Sequence, residues 1–159
     1  MTQADASRLA ALMARMAACR ICRDQPQGRP LPHEPRPVFQ LGETARILIA
    51  GQAPGTRVHA SGRPFTDPSG DRLRQWLGVS SADFYDAKKF AILPMGFCFP
   101  GLSAKGADLP PRKECAPAWR RDCLDALPQI RLIVCLGGYA MAWHLRKPIG
   151  ISVDENVKN

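Results

Sequence analysis

The sequence predicts an α/β protein of three layers, α/β/α, around a central, mostly parallel sheet. Three observations carry that expectation. Short apolar runs recur at 46–50, 90–93 and 131–136. Each ends on a glycine or a proline: Gly51, Pro94 and Gly137. Between the runs lie segments whose apolar residues return at helical spacing. Continuous apolar runs of this length suit strands buried on both faces, as in a parallel sheet. Strands that alternate with helices build such a sheet, with ligands at the carboxyl ends of its strands.

Taken in order, residues 3–18 set Leu9, Leu12, Met13 and Met16 at helical spacing, with Asp5 or Ser7 as the expected cap. The stretch 28–39 carries Pro30, Pro32, Pro35 and Pro37 and reads as an extended connector, neither helix nor central strand. The first strand, 46–50, runs into the motif Gly51, Gln52, Ala53, Pro54, Gly55. After a loop, GRPFTDPSG at 62–70 opens a helix over 70–77. The second strand follows at 90–93, then a helix over 117–127, the third strand, and a last helix over 139–145. There are no internal repeats and no low-complexity block.

The chain has 159 residues and a mass of 17.4 kDa, enough for one domain with a real core. Hydrophobic residues make up 45% and charged residues 23%, an ordinary balance for a soluble globular protein. No apolar run has the length of a membrane span. The first twenty residues lack the continuous apolar run of a signal peptide, so a cytoplasmic protein is expected. A net charge of +8 and a pI near 9.6 favour a polyanionic partner, nucleic acid being the usual one. The competing reading is arginine richness for solubility alone.

Six cysteines without an export signal argue against a disulfide framework. Cys19 and Cys22 form a C-x2-C at the end of the first helix. Cys98 and Cys115 follow with 16 residues between them. Such a set could hold zinc or an iron–sulfur cluster; a lone C-x2-C could also be redox-active. Cys123, in a predicted helix, and Cys135, in a predicted strand, read as core residues. The 51–55 motif has two readings. Its glycines at a strand end let backbone approach a ligand and offer N–H groups to an anion, or they simply make a turn. The G-x-G-x-x-G dinucleotide spacing is absent.

GQAPG followed by GRPFTDPSG resembles the first motif of the uracil-DNA glycosylase superfamily. It resembles especially the iron–sulfur (family 4) branch, which reads GEAPG and then GxPFVGxAG. The C-x2-C and the later C-x16-C are similar to that branch's four cluster ligands in order and approximate spacing. LIVCLGGYA at 132–140 resembles its strand-plus-helix LGxxA element. The resemblance covers roughly residues 10–145.

It implies base excision from DNA: hydrolysis of the N-glycosidic bond of uracil or another deaminated base, after that base has flipped out of the stack. It also implies that Cys19, Cys22, Cys98 and Cys115 hold a [4Fe-4S] cluster, with zinc as the alternative. Gly51, Gln52, Ala53, Pro54, Gly55, Phe65 and Pro94 are then expected to line the base pocket. Phe65 would stack on the base, or else pack in the core beside Pro64. The N–H groups at Gln52 and Ala53 would face the departing base. Arg57, Arg63, Arg72 and Arg74 are candidates to meet phosphates, with plain solvation as the alternative. The partner is DNA, not a membrane, and the expected state is a monomer associated with the nucleoid.

The departures bear on catalysis. Gln52 stands where the family has Glu, and Ala53 where another branch follows Gln with Asp. Pro94 occupies the place of a uracil-reading Asn, and Val58 and His59 that of an acidic pair. No histidine follows His144, itself expected at the surface, so the family's terminal HPS motif has no counterpart. The C-terminal part of the fold is therefore expected to be missing. The glycosylase-like domain would span 1–147, incomplete, and 148–159 would be an unrelated or disordered tail. An exposed sheet edge or face and a tendency to aggregate would follow.

The resemblance thus implies a poor or inactive uracil glycosylase. Gln52, His59 and Asp67 are the candidate catalytic residues, and a non-catalytic DNA-binding iron–sulfur module is the alternative.

Overall fold

The structure is a computed structural model that describes residues 2–146. The proposed tail at 148–159 lies outside the described residues. Among the described residues three strands form one parallel sheet in the order β2-β1-β3: β1 (Ile47–Ala50), β2 (Phe90–Ile92) and β3 (Leu132–Cys135). β1 is central, with Ile47 opposite both Phe90 and Leu132. Among the described residues seven helices accompany them: α1 (Gln3–Ala17), α2 (Ile21–Asp24), α3 (Thr56–Ser61), α4 (Pro68–Leu77), α5 (Ser81–Phe84), α6 (Cys115–Asp125) and α7 (Gly138–Leu145).

The layers follow from side-chain alternation. Leu48 and Ala91 point to one face, where Leu9, Leu12 and Met16 of α1 meet Trp119 and Cys123 of α6. Ile49, Phe90 and Ile92 point to the other, against Leu73 of α4 and Phe84 of α5. Period-two alternation thus feeds two cores from one ladder. This is the α/β/α arrangement expected from the sequence.

Several boundaries differ from expectation for local reasons. α1 is capped by Thr2, not by Asp5 or Ser7. The Thr2 hydroxyl accepts from the Asp5 N–H at 3.2 Å, and the Asp5 carboxylate accepts from the Thr2 N–H at 2.9 Å. Asp5 is thus the return arm of a capping box. α4 starts at Pro68 because Asp67 caps it and proline suits the first helical turn. α6 starts at Cys115, since its early Pro117 gives up only an N–H with no intrahelical partner. The short helices α2, α3 and α5 were not anticipated; four to six residues show no apolar period.

β1 and β2 are buried throughout apart from the half-buried Ile47. β3 departs from the expected two-sided burial, with Leu132 53% and Ile133 36% exposed. Among the described residues it pairs only with β1, so it forms an edge. The other edge is closed by the proline-rich connector. Gln40 exchanges backbone hydrogen bonds with Ile92 in an antiparallel bridge, and its amide donates to the Phe90 carbonyl at 2.8 Å.

His144 is half-buried, not a surface residue. Its Nε2 accepts from Nη2 of the buried Arg120 at 2.8 Å. The same guanidinium donates to the carbonyls of Leu93 and Pro94 at 2.9 and 3.0 Å. α7 is thereby tied to the end of β2. Burial, with the Arg120 charge second, lowers the His144 pKa from 6.5 to about 4. Burial likewise lowers that of Arg120, to about 10. Cys123 is fully buried, while Cys135 on the edge strand is only half-buried. No helix among the described residues is long and apolar enough to cross a membrane.

Candidate active site

The 51–55 motif leaves β1 as a braced strand extension. Met95 N–H donates to the Gly51 carbonyl at 2.9 Å and Gly96 N–H to the Gln52 carbonyl at 2.8 Å. These bonds commit the Gly51 and Gln52 carbonyls to the segment that follows β2. No backbone carbonyl among the described residues takes the N–H of Gln52 or Ala53. Above the turn opens a cavity of about 740 Å³. Pockets that hold small organic molecules have this order of size. Gly51, Gln52, Ala53, Pro54, Gly55, Phe65 and Pro94 all line it, as do Asp67, Arg72, Trp76, Asp108 and Tyr139. It lies at the carboxyl ends of the parallel strands, where open α/β sheets place ligands.

Phe65 is held there at a conformational cost. Its φ is +56°, a left-handed value that a bulky residue rarely adopts. Three interactions hold it. Tyr85 Oη donates to the carbonyls of Pro64 and Phe65 at 2.8 and 3.0 Å, and Arg74 Nη1 donates to the Phe65 carbonyl at 3.0 Å. The ring meets Phe84 edge-on with centroids 5.8 Å apart. Two glycines make room. A Cβ on Gly70 would stand 1.9 Å from the Phe65 carbonyl oxygen, and one on Gly51 would stand 3.3 Å from the ring's Cζ. Phe65 therefore both packs against the core and presents its ring over the floor of the cavity.

The three catalytic candidates have different surroundings. Gln52 is exposed at the cavity, its amide lying over Gly137, where a Cβ would come within 2.5 Å of Nε2. Asp67 lines the cavity, but its Oδ1 accepts from Gly70 N–H at 3.1 Å and from Ser69 Oγ at 2.6 Å. Its carboxylate is thus engaged in capping α4. His59 does not join them. It sits in an aromatic group with His33 and Phe99, at centroid distances of 4.3 and 5.6 Å. Its Nδ1 is buried with no hydrogen-bond partner. Burial lowers its pKa, with the nearby His33 and Arg36 adding to the effect.

One carboxylate at the cavity was missed in the sequence. Asp108 Oδ2 stands 3.1 Å from where a Cβ on Gly55 would sit. It is carried by a tight hairpin closed by a bridge between Leu102 and Asp108 and by Ser103 N–H donating to the Ala107 carbonyl at 2.8 Å. The only local signal was a turn composition, SAKGAD, which says nothing of where the loop points.

The arginines sort by environment. Arg74 pairs with Asp71 at 2.6 Å and braces Phe65, so it does not face outward to a phosphate. The Arg63 guanidinium lies 3.5 Å over the Tyr85 ring. Arg57 and Arg72 are exposed, and Arg72 stands on the cavity rim with Trp76, which is 74% exposed.

Cys19, Cys22, Cys98 and Cys115 line a second, small enclosed cavity together with Pro35, Pro37 and Arg112. Two hydrogen bonds end on these sulfurs. Trp119 Nε1 donates to Cys19 at 3.2 Å and the Phe97 N–H to Cys115 at 3.3 Å. Arg112 is fixed by Glu114 at 2.8 Å, and its Nε is buried with no partner. Burial raises the Cys22 and Cys115 thiol pKa values and pushes that of Cys98 up to about 12. The chemistry of this donor set suits an anionic metal centre. Four soft sulfurs, two N–H donors aimed at sulfur and one unsatisfied cationic donor surround the same space. Among the described residues, however, no group of three or more His, Cys, Asp or Glu side chains is arranged to hold a metal ion.

A family model described as the uracil DNA glycosylase superfamily matches residues 39–157. The match takes in the 51–55 motif, Phe65, Pro94 and Asp108. It begins after Cys19 and Cys22, so it does not extend to the first pair of the cysteine set.

Proposed function

The chain belongs to the uracil DNA glycosylase superfamily, and on that premise we propose that it hydrolyses the N-glycosidic bond of uracil or another deaminated base in DNA. The observation that carries this reading is the cavity at the end of β1. It has the volume for a nucleobase, an aromatic ring in a fixed pose over a glycine floor, and backbone N–H groups of Gln52 and Ala53 without backbone partners. A base that has left the stack would lie against Phe65. As the C1′–N bond lengthens, negative charge grows on the base, and N–H donors fixed in advance stabilise it without reorganisation. Pro94, whose carbonyl is engaged by Arg120, closes the cavity at the β2 side. Arg72, Arg57 and the net charge of +8 supply the attraction to the phosphate backbone.

The cysteine cavity is proposed to hold a [4Fe-4S] cluster on Cys19, Cys22, Cys98 and Cys115. The support for a metal centre, zinc being the alternative, is that all four thiols line one small cavity, with the Trp119 and Phe97 N–H groups donating to two of the sulfurs. When bound, that group supplies a covalent tie between the α1–α2 corner, the loop after β2 and the start of α6; base hydrolysis calls for no electron transfer from it.

A second reading, a DNA-binding module without catalysis, rests on Gln52. An amide at this position cannot stabilise a cationic sugar by charge. The two readings separate in one assay. The chain is incubated with single-stranded and duplex oligonucleotides carrying a deaminated base, and the free base is quantified. Free base supports the glycosylase, and tight binding without release supports the module.

A further inference from the structure

We propose that Asp108 is the catalytic carboxylate of this site, taking the role that the Gln52 amide cannot fill. The inference rests on the glycosylase reading above and names the residue that would make it work. Two carboxylates line the cavity, Asp67 and Asp108. Asp67 is engaged in capping α4 through Gly70 and Ser69. Asp108 lies directly over the 51–55 motif, its Oδ2 3.1 Å from the position of a Cβ on Gly55. Gly55 has no side chain to fill that gap, so the space between the carboxylate and the motif stays open.

The loop that carries Asp108 is built to hold it. Beyond the bridge between Leu102 and Asp108, Leu109 N–H donates to the Gly101 carbonyl at 2.9 Å and Gly106 N–H to the Ser103 carbonyl at 2.9 Å. Gly101 and Gly106 take φ values of +101° and +78°, which let the hairpin turn tightly. Pro110 and Pro111 follow and stiffen its exit. These bonds fix the loop's backbone, while the Asp108 side chain itself is exposed at the cavity.

The step balances as a simple hydrolysis. The C1′–N bond breaks and its electron pair leaves with the base, facing the N–H groups of Gln52 and Ala53. The Asp108 carboxylate stabilises the cationic C1′ and receives a proton from the attacking water, whose oxygen bonds to C1′. That proton passes to solvent and the anionic base takes one from solvent. The products are an abasic site and the free base.

The test compares wild type, Asp108→Asn and Asp108→Glu. Base release is measured under single turnover on oligonucleotides carrying uracil, hypoxanthine or xanthine. Affinity is measured by anisotropy on the matching undamaged strand. The proposal expects Asp108→Asn to lose about 10²–10³-fold in release rate. It expects DNA affinity to stay equal or rise, because a negative charge facing phosphates has been removed. Asp108→Glu should recover part of the rate. Release by Asp108→Asn within threefold of wild type overturns the assignment and leaves the glycosylase reading standing. Parallel loss of affinity and rate also overturns it, since the residue would then be a binding or structural group. No release by wild type on any of the substrates overturns both.

Discussion

Phe65 shows how much of this site is decided by single residues. Its left-handed backbone is tolerated because Tyr85 and Arg74 saturate its carbonyl and because Gly70 has no Cβ. Gly70→Ala should therefore destabilise the fold by about 1–3 kcal/mol, the range of an overpacked core, read as a lower urea midpoint. An unchanged midpoint would mean that the 62–70 loop yields freely and that Phe65 is not held. Phe65→Ala should lower base release and also lower the urea midpoint, since the ring packs edge-on against Phe84. The sequence marked Phe65 and the two glycines through their motif. It gave no sign of the positive φ, which depends on Tyr85 and Arg74 arriving from other elements. Asp108 was invisible for the same reason. Its neighbour Gly55 lies some fifty residues earlier, and only the folded hairpin brings them together.

Among the elements, α4 and the α6–α7 pair make separate claims. α4 is anchored by Leu73 and the Asp67 cap and turns Trp76 and Arg72 to the cavity rim. Exposed tryptophan beside arginine suits stacking on an unpaired base. Trp76→Ala should weaken binding to single-stranded DNA about tenfold, in line with about 1–3 kcal/mol per stacked base. Unchanged affinity would show that α4 does not meet the strand.

In the α6–α7 pair, His144 is held neutral against Arg120. Its folded pKa of about 4 lies below the 6.5 of an ordinary histidine. The unfolded chain therefore binds a proton that the native state refuses between these values. The stabilising effect is complete above about pH 6.5 and is lost as pH falls toward 4. Allowing for partial solvent screening, the loss is about 1–2 kcal/mol. His144→Gln, which keeps an acceptor for Arg120, should flatten the dependence of the urea midpoint on pH across that window; an identical slope would contradict the assignment. The histidine was expected at the surface because an eight-residue helix gives no clear face. Its partner, a buried arginine, runs against the usual exposure of that residue type.

At the scale of the whole molecule, two sites are fastened to one small sheet. The strands were legible because continuous apolar runs ending in glycine or proline admit few other readings. An exposed edge was expected, but that it falls on β3 among the described residues was not legible, since strand order is fixed by pairing that leaves no mark in a single run. Leu132 and Ile133 are exposed on that edge, and Ile133→Lys should raise solubility if the edge drives self-association. The cysteine set was legible by spacing, while its setting was not: the Trp119 and Phe97 donors and the unsatisfied Arg112 Nε came only with the structure.

The proposed cluster predicts a brown protein with about four irons per chain. Removing the metal with a chelator should lower the melting temperature, because the proposed group would join α1–α2, the loop after β2 and α6. A colourless preparation with one zinc per chain would keep the site and replace the iron.

The central claim is that this cavity excises a base. The most direct test is to mix the purified chain with an oligonucleotide bearing one deaminated base and to measure free base by mass spectrometry. The account predicts free base and an abasic strand from the wild-type chain. DNA that binds tightly and returns intact would contradict it.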